Sequence, residues 1–444
     1  MKPLNEYKDL KLICSDLEKI NHNVLANQIL EKEYLITIED TKEIYSYNNK
    51  SGLYELAETE LNSIIQYVGG IKVKTHFVNE VKESIKRQTY INRDDIAADI
   101  NEIPLENGIY NIETEKFEEY NPGKIFLTKH KITWTNEEYI EKNPIDKFLE
   151  EITENQEDQL LLKELAGYCF YRKMPFQNFF ILVGKGSNGK SVYLNLLTKM
   201  IGKENTSNRS LQELGEGGFS LVSLYNKNAN ITNELPKRAL TDAGIIKQLT
   251  GGDIIEANQK FKNSIQFVNH AKLISACNEV PETPDMSNGF FRRAIIINFP
   301  NNFEGREDRN LLNKLTENKH LLDFFKSSID AFKTALKENE LIRKETADEK
   351  REKYLVYSNS AISFCHSFLE YDPETHIETD EIYRKYVDFC KDNKVPSKDE
   401  RNFFKSLYKY FGHKCYKKRK RETEFDKSVR VYIVQGVDWK QQVG

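Results

Sequence analysis

The spacing of apolar residues changes character several times along the chain, and each change marks a different kind of element. Between residues 146 and 175, "DKFLEEITENQEDQLLLKELAGYCFYRKMP" places Leu149, Ile152, Leu160, Leu161 and Leu165 on helical faces, and Pro175 stops the run. From there to about residue 300, short apolar runs ("FFILVG", "NANIT", "KLISACN", "RAIIINF") alternate with helical ones ("VYLNLLTKMIG", "AGIIKQLTG"). Such alternation predicts an α/β sheet with covering helices. Two further strand-like pieces, Ile254 to Asn258 and Ser264 to Phe267, flank a polar tip and read as a hairpin.

Residues 1 to 145 mix short helical and strand-like pieces. "DLEKINHNVLANQILEKEYLITI" predicts a helix followed by a strand, and "LENGIYNIETEKFEEYNPG" a hairpin with turns at Asn107-Gly108 and Pro122-Gly123. Residues 306 to 356 are helical and charged. The last segment reads as three helices, "AISFCHSFLEYDPE", "TDEIYRKYVDFCKDN" and "SKDERNFFKSLYKYFG", followed by two strands around Lys417 to Arg430. The expected organisation is an α+β N-terminal domain over 1–145, an α/β domain over 146–305, a helical connector over 306–356 and a C-terminal domain over 357–444.

With 39% hydrophobic and 30% charged residues, the 444-residue chain has enough apolar mass for real cores. A formal net charge of -4 excludes a whole-protein basic field, so any nucleic-acid binding must use local patches. Six scattered cysteines without a C-x-x-C pair, and eight dispersed histidines, indicate neither a disulfide framework nor a structural zinc site. The charged N-terminus lacks a signal-peptide core, and no apolar run approaches the ~20 residues of a membrane span. The expected setting is cytoplasmic, without a membrane anchor. Asp94, Asp95 and Asp99 lie in a helical-looking run without partner histidines and read as a solvated face rather than a metal site.

The stretch "FFILVGKGSNGKSVYLNLLTKMIG" carries the most specific chemistry. Gly184-Lys185-Gly186-Ser187-Asn188-Gly189-Lys190-Ser191 has the spacing of a phosphate-binding loop, with a strand before it and a helix after. Gly184, Gly186 and Gly189 permit backbone angles that turn successive N–H groups towards phosphate oxygens, and the helix from Lys190 adds its positive end. Lys190 should reach the β- and γ-phosphates of ATP, and the Ser191 hydroxyl should ligate Mg2+. The strand "NKNANIT" ends at Asn233-Glu234, and a carboxylate at the end of a neighbouring parallel strand lies beside the phosphates. Glu234 is thus the candidate to orient the attacking water and to share the metal. Asn278, at the end of "AKLISACN", is placed to hold the water or the γ-phosphate. Arg292 and Arg293 precede the final strand, where an arginine supplied to a neighbouring subunit's nucleotide can stabilise transition-state charge.

Two patches suit DNA. The hairpin tip carries Lys260, Phe261 and Lys262, two cations for phosphates and a ring for sugars or bases. The C-terminal helices and strand pair match a winged-helix pattern. They put Lys398, Arg401 and Lys405 on the recognition helix and Lys417, Lys418, Arg419, Lys420 and Arg421 on the wing.

The order and spacing of "GKGSNGKS", the "NEL" at Glu234, "KQLTGGDIIEANQKFKNSIQF", "LISACNEVP" and "DMSNGFFRRAIIINF" resemble the superfamily 3 helicases of the AAA+ class, above all the C-terminal part of phage, plasmid and poxvirus-type primase–helicases. The likeness is strong over residues 95 to 305. It implies an AAA+ core, ATP and Mg2+, and a ring, usually a hexamer, that translocates on single-stranded DNA. It assigns Asn278 to sensing the γ-phosphate, places the Lys260–Lys262 hairpin in the central channel, and makes Arg292 or Arg293 the finger acting in trans. Many relatives carry two adjacent acids where this chain has Asn233 before Glu234. The polymerising half of full-length relatives is missing, so a separate primase or polymerase is the expected partner, alongside single-stranded, forked or origin DNA. The competing readings are a DNA-binding initiator whose ATPase is only an assembly switch, and a P-loop small-molecule kinase. The second leaves the hairpin, the arginine pair and the basic C-terminus without a use.

Overall fold

The computed structural model describes residues 4–13, 21–70, 73–136, 142–258, 264–393, 395–424 and 427–440. Its centre is a five-stranded, wholly parallel sheet in the spatial order Ala294–Asn298, Phe179–Val183, Lys272–Cys277, Ala229–Thr232, Thr206–Ser207. The strands are continuous apolar runs because both faces are covered. Phe180, Leu182, Ile274, Ile295 and Ile297 pack on one side, with Phe148, Leu149, Leu161, Leu165, Phe324 and Phe325 of the helices Pro144–Ile152, Gln156–Tyr168 and Asn318–Glu338. Phe179, Ile181, Leu273 and Ile296 pack on the other, with Ile246 and Leu249 of Ala243–Gly251, with Phe290 and Phe291, and with Tyr354 of Ala347–Ser358. The alternation of neighbouring side chains between two cores is the two-residue period of a strand buried on both faces.

The run from 146 to 175, helical throughout by its spacing, is two helices. Asn155 interrupts it: its side chain accepts from Asp158 N–H and caps the second helix. Arg343, towards the end of the connector, ties it to this layer. It forms a buried ion pair with Asp158 and donates from Nη1 to Ile296 O at 2.6 Å.

The N-terminal part pairs Leu53–Leu56, Ile44–Asn48, Leu35–Ile38 and Tyr90–Ile91 in one sheet, against the helices His22–Lys32, Glu58–Gly69 and Thr75–Thr89. The helix-then-strand reading of residues 16 to 38 is met by His22–Lys32 and Leu35–Ile38, and residues 16 to 20 lie outside the described residues. A small antiparallel meander follows, Glu102–Pro104, Ile109–Asn111 and Lys116–Glu118. The acids near residue 95 are not on a long helix. Asp95 accepts from Asn92 N–H at 2.9 Å and Asp99 from Asn101 N–H at 2.8 Å, so both close turns.

The C-terminal part is helix Ser360–Phe368, strand Leu369–Glu378, helices Thr379–Asp392 and Glu400–Phe411, then strands Tyr416–Glu424 and Lys427–Trp439. The strands form one antiparallel sheet with Lys427–Trp439 in the centre. The sequence pattern assigns "FLEYDPE" to the first helix. From Leu369 onwards it is an edge strand instead, where Pro373 and the charges of Glu370, Asp372 and Glu374 are tolerated.

Candidate nucleotide site and DNA-contacting surfaces

The phosphate-binding loop joins strand Phe179–Val183 to helix Lys190–Ile201. Its glycines do different jobs. Gly189 has φ +88° at the helix N-cap, and a Cβ there would stand 2.5 Å from Ile152 Cγ2. A Cβ on Gly184 would stand 2.2 Å from Asn188 Nδ2 and 2.5 Å from Phe299 O. Gly186 is under neither constraint: its φ is not positive, and a Cβ there would meet nothing within 4 Å. The left-handed residue that curls the loop tip is Ser187, at φ +55°. The expectation that all three glycines supply the loop's special angles is therefore corrected to Gly189 alone.

Lys190 is buried and donates to Gly184 O at 2.5 Å and Asn188 Oδ1 at 3.0 Å. Burial lowers the pKa of its ammonium. Both partners are neutral oxygens, so the charge is held in place but not neutralised. Asn188 in turn donates to Phe299 O at 3.2 Å, and Ser187 O accepts from Phe303 N at 2.7 Å. The loop is thereby tied to the segment after the last sheet strand.

A cleft of about 780 Å³ opens at the carboxyl ends of the strands, lined by Gly186 to Val192, Asn233 to Lys237 and Cys277 to Glu279. Ser191, Asn233, Glu234 and Asn278 are exposed within it. Glu234 does not come from the strand next to the loop: Lys272–Cys277 lies between, so Asn278 is the nearer of the two. Leu235 N donates to Ala276 O at 2.7 Å and draws the Glu234 turn back beside that central strand. The opposite wall is mixed, with the apolar Phe148, Ile152, Phe303 and Leu311 beside the charged Arg306, Glu307, Asp308 and Lys314. Lys185 leaves this cleft. Its Nζ donates to Asn393 Oδ1 at 3.2 Å and lines a second cleft of about 830 Å³ against the C-terminal part.

Arg292 and Arg293 sit at the other end of the sheet. Strand Ala294–Asn298 runs parallel to Phe179–Val183, with Ala294 level with Phe179 and Asn298 level with Val183. Five residues at roughly 3.3 Å each put about 16 Å between the arginines and their own phosphate loop. Arg292 is exposed; Arg293 is buried and donates from Nη1 to Gly289 O at 2.6 Å. The two arginines are thus not equivalent.

Hairpin strands Ile254–Ala257 and Ile265–Val268 are antiparallel, with Ile254 opposite Val268. Lys260, Phe261 and Lys262 lie outside the described residues. At the base, Ile254 and Val268 are 71% and 52% exposed. Phe219 is 58% exposed at the start of the short helix Gly218–Leu224, which packs against strand Ile254–Ala257 and begins where Gly217 and Gly218 both have positive φ. Sequence reasoning does not single out Phe219. The glycine pair in "GEGGF" was the available signal, since a ring directly after two such residues sits on a turn tip rather than in a core.

In the C-terminal part, Arg401 and Lys405 are exposed one turn apart on helix Glu400–Phe411 and share a recess with Tyr408 and Lys417. Lys417 lies over the Tyr432 ring at 4.4 Å. Lys418 and Arg419 are exposed on the same strand, and Lys420 Nζ is 3.1 Å from His376 Nε2. Arg421 falls on that strand by backbone alone. Lys398 is not on the helix, which Asp399 caps. It pairs with Glu282 at 2.7 Å, four residues beyond Asn278, and Asn359 donates to the same carboxylate at 3.3 Å.

Residues 27–154 match the "D5 N terminal like" family, and residues 182–293 match a family of unknown function. A protein of Acanthamoeba polyphaga mimivirus described as a helicase is 22% identical over 302 residues, 65% of this chain and 30% of that one. A protein of Invertebrate iridescent virus 3, also described as a helicase, is 33% identical over 134 residues, 28% of this chain and 14% of that one. The chain is similar to the phage and viral primase–helicases. It spans less than a third of the length of either curated relative. The apo structure of the NrS-1 C-terminal region shares the fold, with a TM-score of 0.50 at 14% identity over 94% of this chain and 100% of that one. Among the described residues, no helix is long and apolar enough to cross a membrane, and no group of His, Cys, Asp and Glu is placed to hold a metal ion by itself. Mg2+ at Ser191 and Glu234 would therefore depend on nucleotide phosphates for its remaining ligands.

Proposed function

We propose that the chain is an ATP-driven, ring-forming DNA helicase of the superfamily 3, AAA+ type, working in the replication of a virus, plasmid or mobile element. One observation carries the reading. Lys190, Ser191, Glu234 and Asn278 converge on one cleft, while the exposed Arg292 stands at the far end of the same sheet. Arg306 of the same chain lines the cleft, and Arg292, presented at the far end of the sheet, is the arginine placed to act on the nucleotide of a second copy. Lys190 binds the terminal phosphates, the loop and helix N–H groups cradle them, Glu234 orients the attacking water, and Asn278 reports on the γ-phosphate. The apolar side chains of Phe148, Ile152, Phe303 and Leu311 take the base. Mg2+ bound with ATP would offset phosphate charge from the side of Ser191.

The DNA-contacting parts are the hairpin that carries Lys260 to Lys262, with Phe219 on the short helix packed against its first strand, and the C-terminal winged helix. An exposed ring offers a stacking surface for single-stranded DNA. The test of the whole reading is ATP-dependent strand displacement on a forked duplex. The switch-type initiator reading has one observation in its favour, the set of bonds that join the core to the C-terminal part, among them Lys185 to Asn393 and both Lys398 and Asn359 to Glu282. ATP hydrolysis and DNA binding without strand displacement would select it.

Salt dependence separates the basic residues. Replacing Arg401, Lys405 and Lys417 together with Ala should weaken duplex binding and flatten the plot of log affinity against log salt by about 3 units, close to one per lost phosphate contact. Lys398→Ala should leave that slope unchanged. Fluorescence anisotropy between low and moderate salt reads both.

A further inference from the structure

The surroundings of Arg292 are more elaborate than an exposed surface arginine requires. Gln177, in the turn before strand Phe179–Val183, has φ +57°, a left-handed conformation that a long unbranched side chain rarely adopts. Its Oε1 accepts from Arg292 Nη2 at 2.9 Å and, more weakly, from Arg293 Nη2 at 3.4 Å. The Arg292 carbonyl is held from two further directions, by Asn178 Nδ2 at 3.3 Å and Lys350 Nζ at 3.1 Å. These groups line a cleft of about 410 Å³ that is separate from the nucleotide cleft of the same chain.

We infer that Gln177 is a positioning residue for Arg292, aiming its guanidinium at the nucleotide of a neighbouring copy. The inference rests on the reading of Arg292 as a residue acting in trans. A guanidinium has five N–H donors, and the bond to Gln177 uses one, leaving the rest for phosphate oxygens. The acceptor is a neutral amide. A carboxylate would hold the arginine equally well but would neutralise the charge that the transition state needs. Holding both ends of a flexible side chain lowers the entropy lost when it engages. Backbone strain at Gln177 is the accompanying cost, borne where function requires the geometry.

The position gives an unusual test, because glycine should relieve the strain while removing the amide. In the full-length protein with ATP and single-stranded DNA, Gln177→Gly should lower kcat by about 10- to 100-fold, as expected for a misplaced catalytic group. The KM for ATP should stay within about twofold and the thermal midpoint should hold or rise. The near-isosteric Gln177→Glu should also lower kcat, through neutralisation, with the oligomer intact by light scattering. Wild-type kcat in Gln177→Gly, while Arg292→Ala is impaired, overturns the inference and spares the reading beneath it. A joint fall of kcat and thermal midpoint in Gln177→Gly makes Gln177 a packing residue and also overturns it. Wild-type kcat in Arg292→Ala overturns the underlying reading itself.

Discussion

Lys190→Ala should abolish ATP hydrolysis, lowering kcat by at least ~10²- to 10³-fold, the usual loss when one positioned donor to a developing anion is removed. The structure gives the reason. The ammonium is buried, its pKa lowered by desolvation, and its two partners are Gly184 O and Asn188 Oδ1. A cation held between neutral acceptors keeps its charge for an incoming polyphosphate. Alanine deletes that charge and also frees Asn188 Oδ1, though the Asn188 bond to Phe299 O should preserve the loop's path. Folding should therefore survive, with circular dichroism and the thermal midpoint close to wild type. Lys190→Arg should not rescue, because a planar fork is too large for a pocket closed by Gly184 and Asn188. A phosphate-release assay decides the matter: hydrolysis at the wild-type rate in Lys190→Ala would place the nucleotide elsewhere.

The loop was legible because all of its information is local: a strand, eight residues and a helix, read in one window. The hairpin strands around residues 254 to 268 were legible for the same reason. Sheet order was not. That Lys272–Cys277 separates the loop strand from the one carrying Glu234 is a long-range pairing, and each strand alone reads only as a buried apolar run. The difference between Arg292 and Arg293 was equally hidden, since only the packed turn buries Arg293 against Gly289 O while leaving Arg292 exposed. The misplacement of Lys398 has a local cause that could have been weighed. Asp399 is a favoured N-cap residue, and its side chain accepts from Asn402 N–H at 3.0 Å, so the helix begins after it. Strand Leu369–Glu378 was concealed because an edge strand needs little apolar content, and the one it has resembles the end of the preceding helix.

Arg292→Ala should lower kcat by about 10³-fold or more with little change in ATP binding, in the range seen where an arginine supplied across an interface is removed. Arg293→Ala should behave differently. Its guanidinium is buried against Gly289 O, so its loss should lower stability by about 1–3 kcal/mol, the usual value of a hydrogen bond from a charged group, and should touch kcat less. The decisive experiment mixes two inactive proteins. An Arg292→Ala subunit keeps its own Lys190, and a Lys190→Ala subunit keeps its Arg292. If catalysis is shared between copies, an interface joining the first protein's cleft to the second protein's arginine is complete, and random assembly in a head-to-tail ring creates such interfaces at about a quarter of positions. Activity should reappear on mixing and scale with the product of the two fractions. Failure to regain activity, with mixed oligomers shown by mass spectrometry, would mean that Arg292 serves only its own subunit. That outcome conflicts with a sheet that holds it about 16 Å from its own phosphate loop.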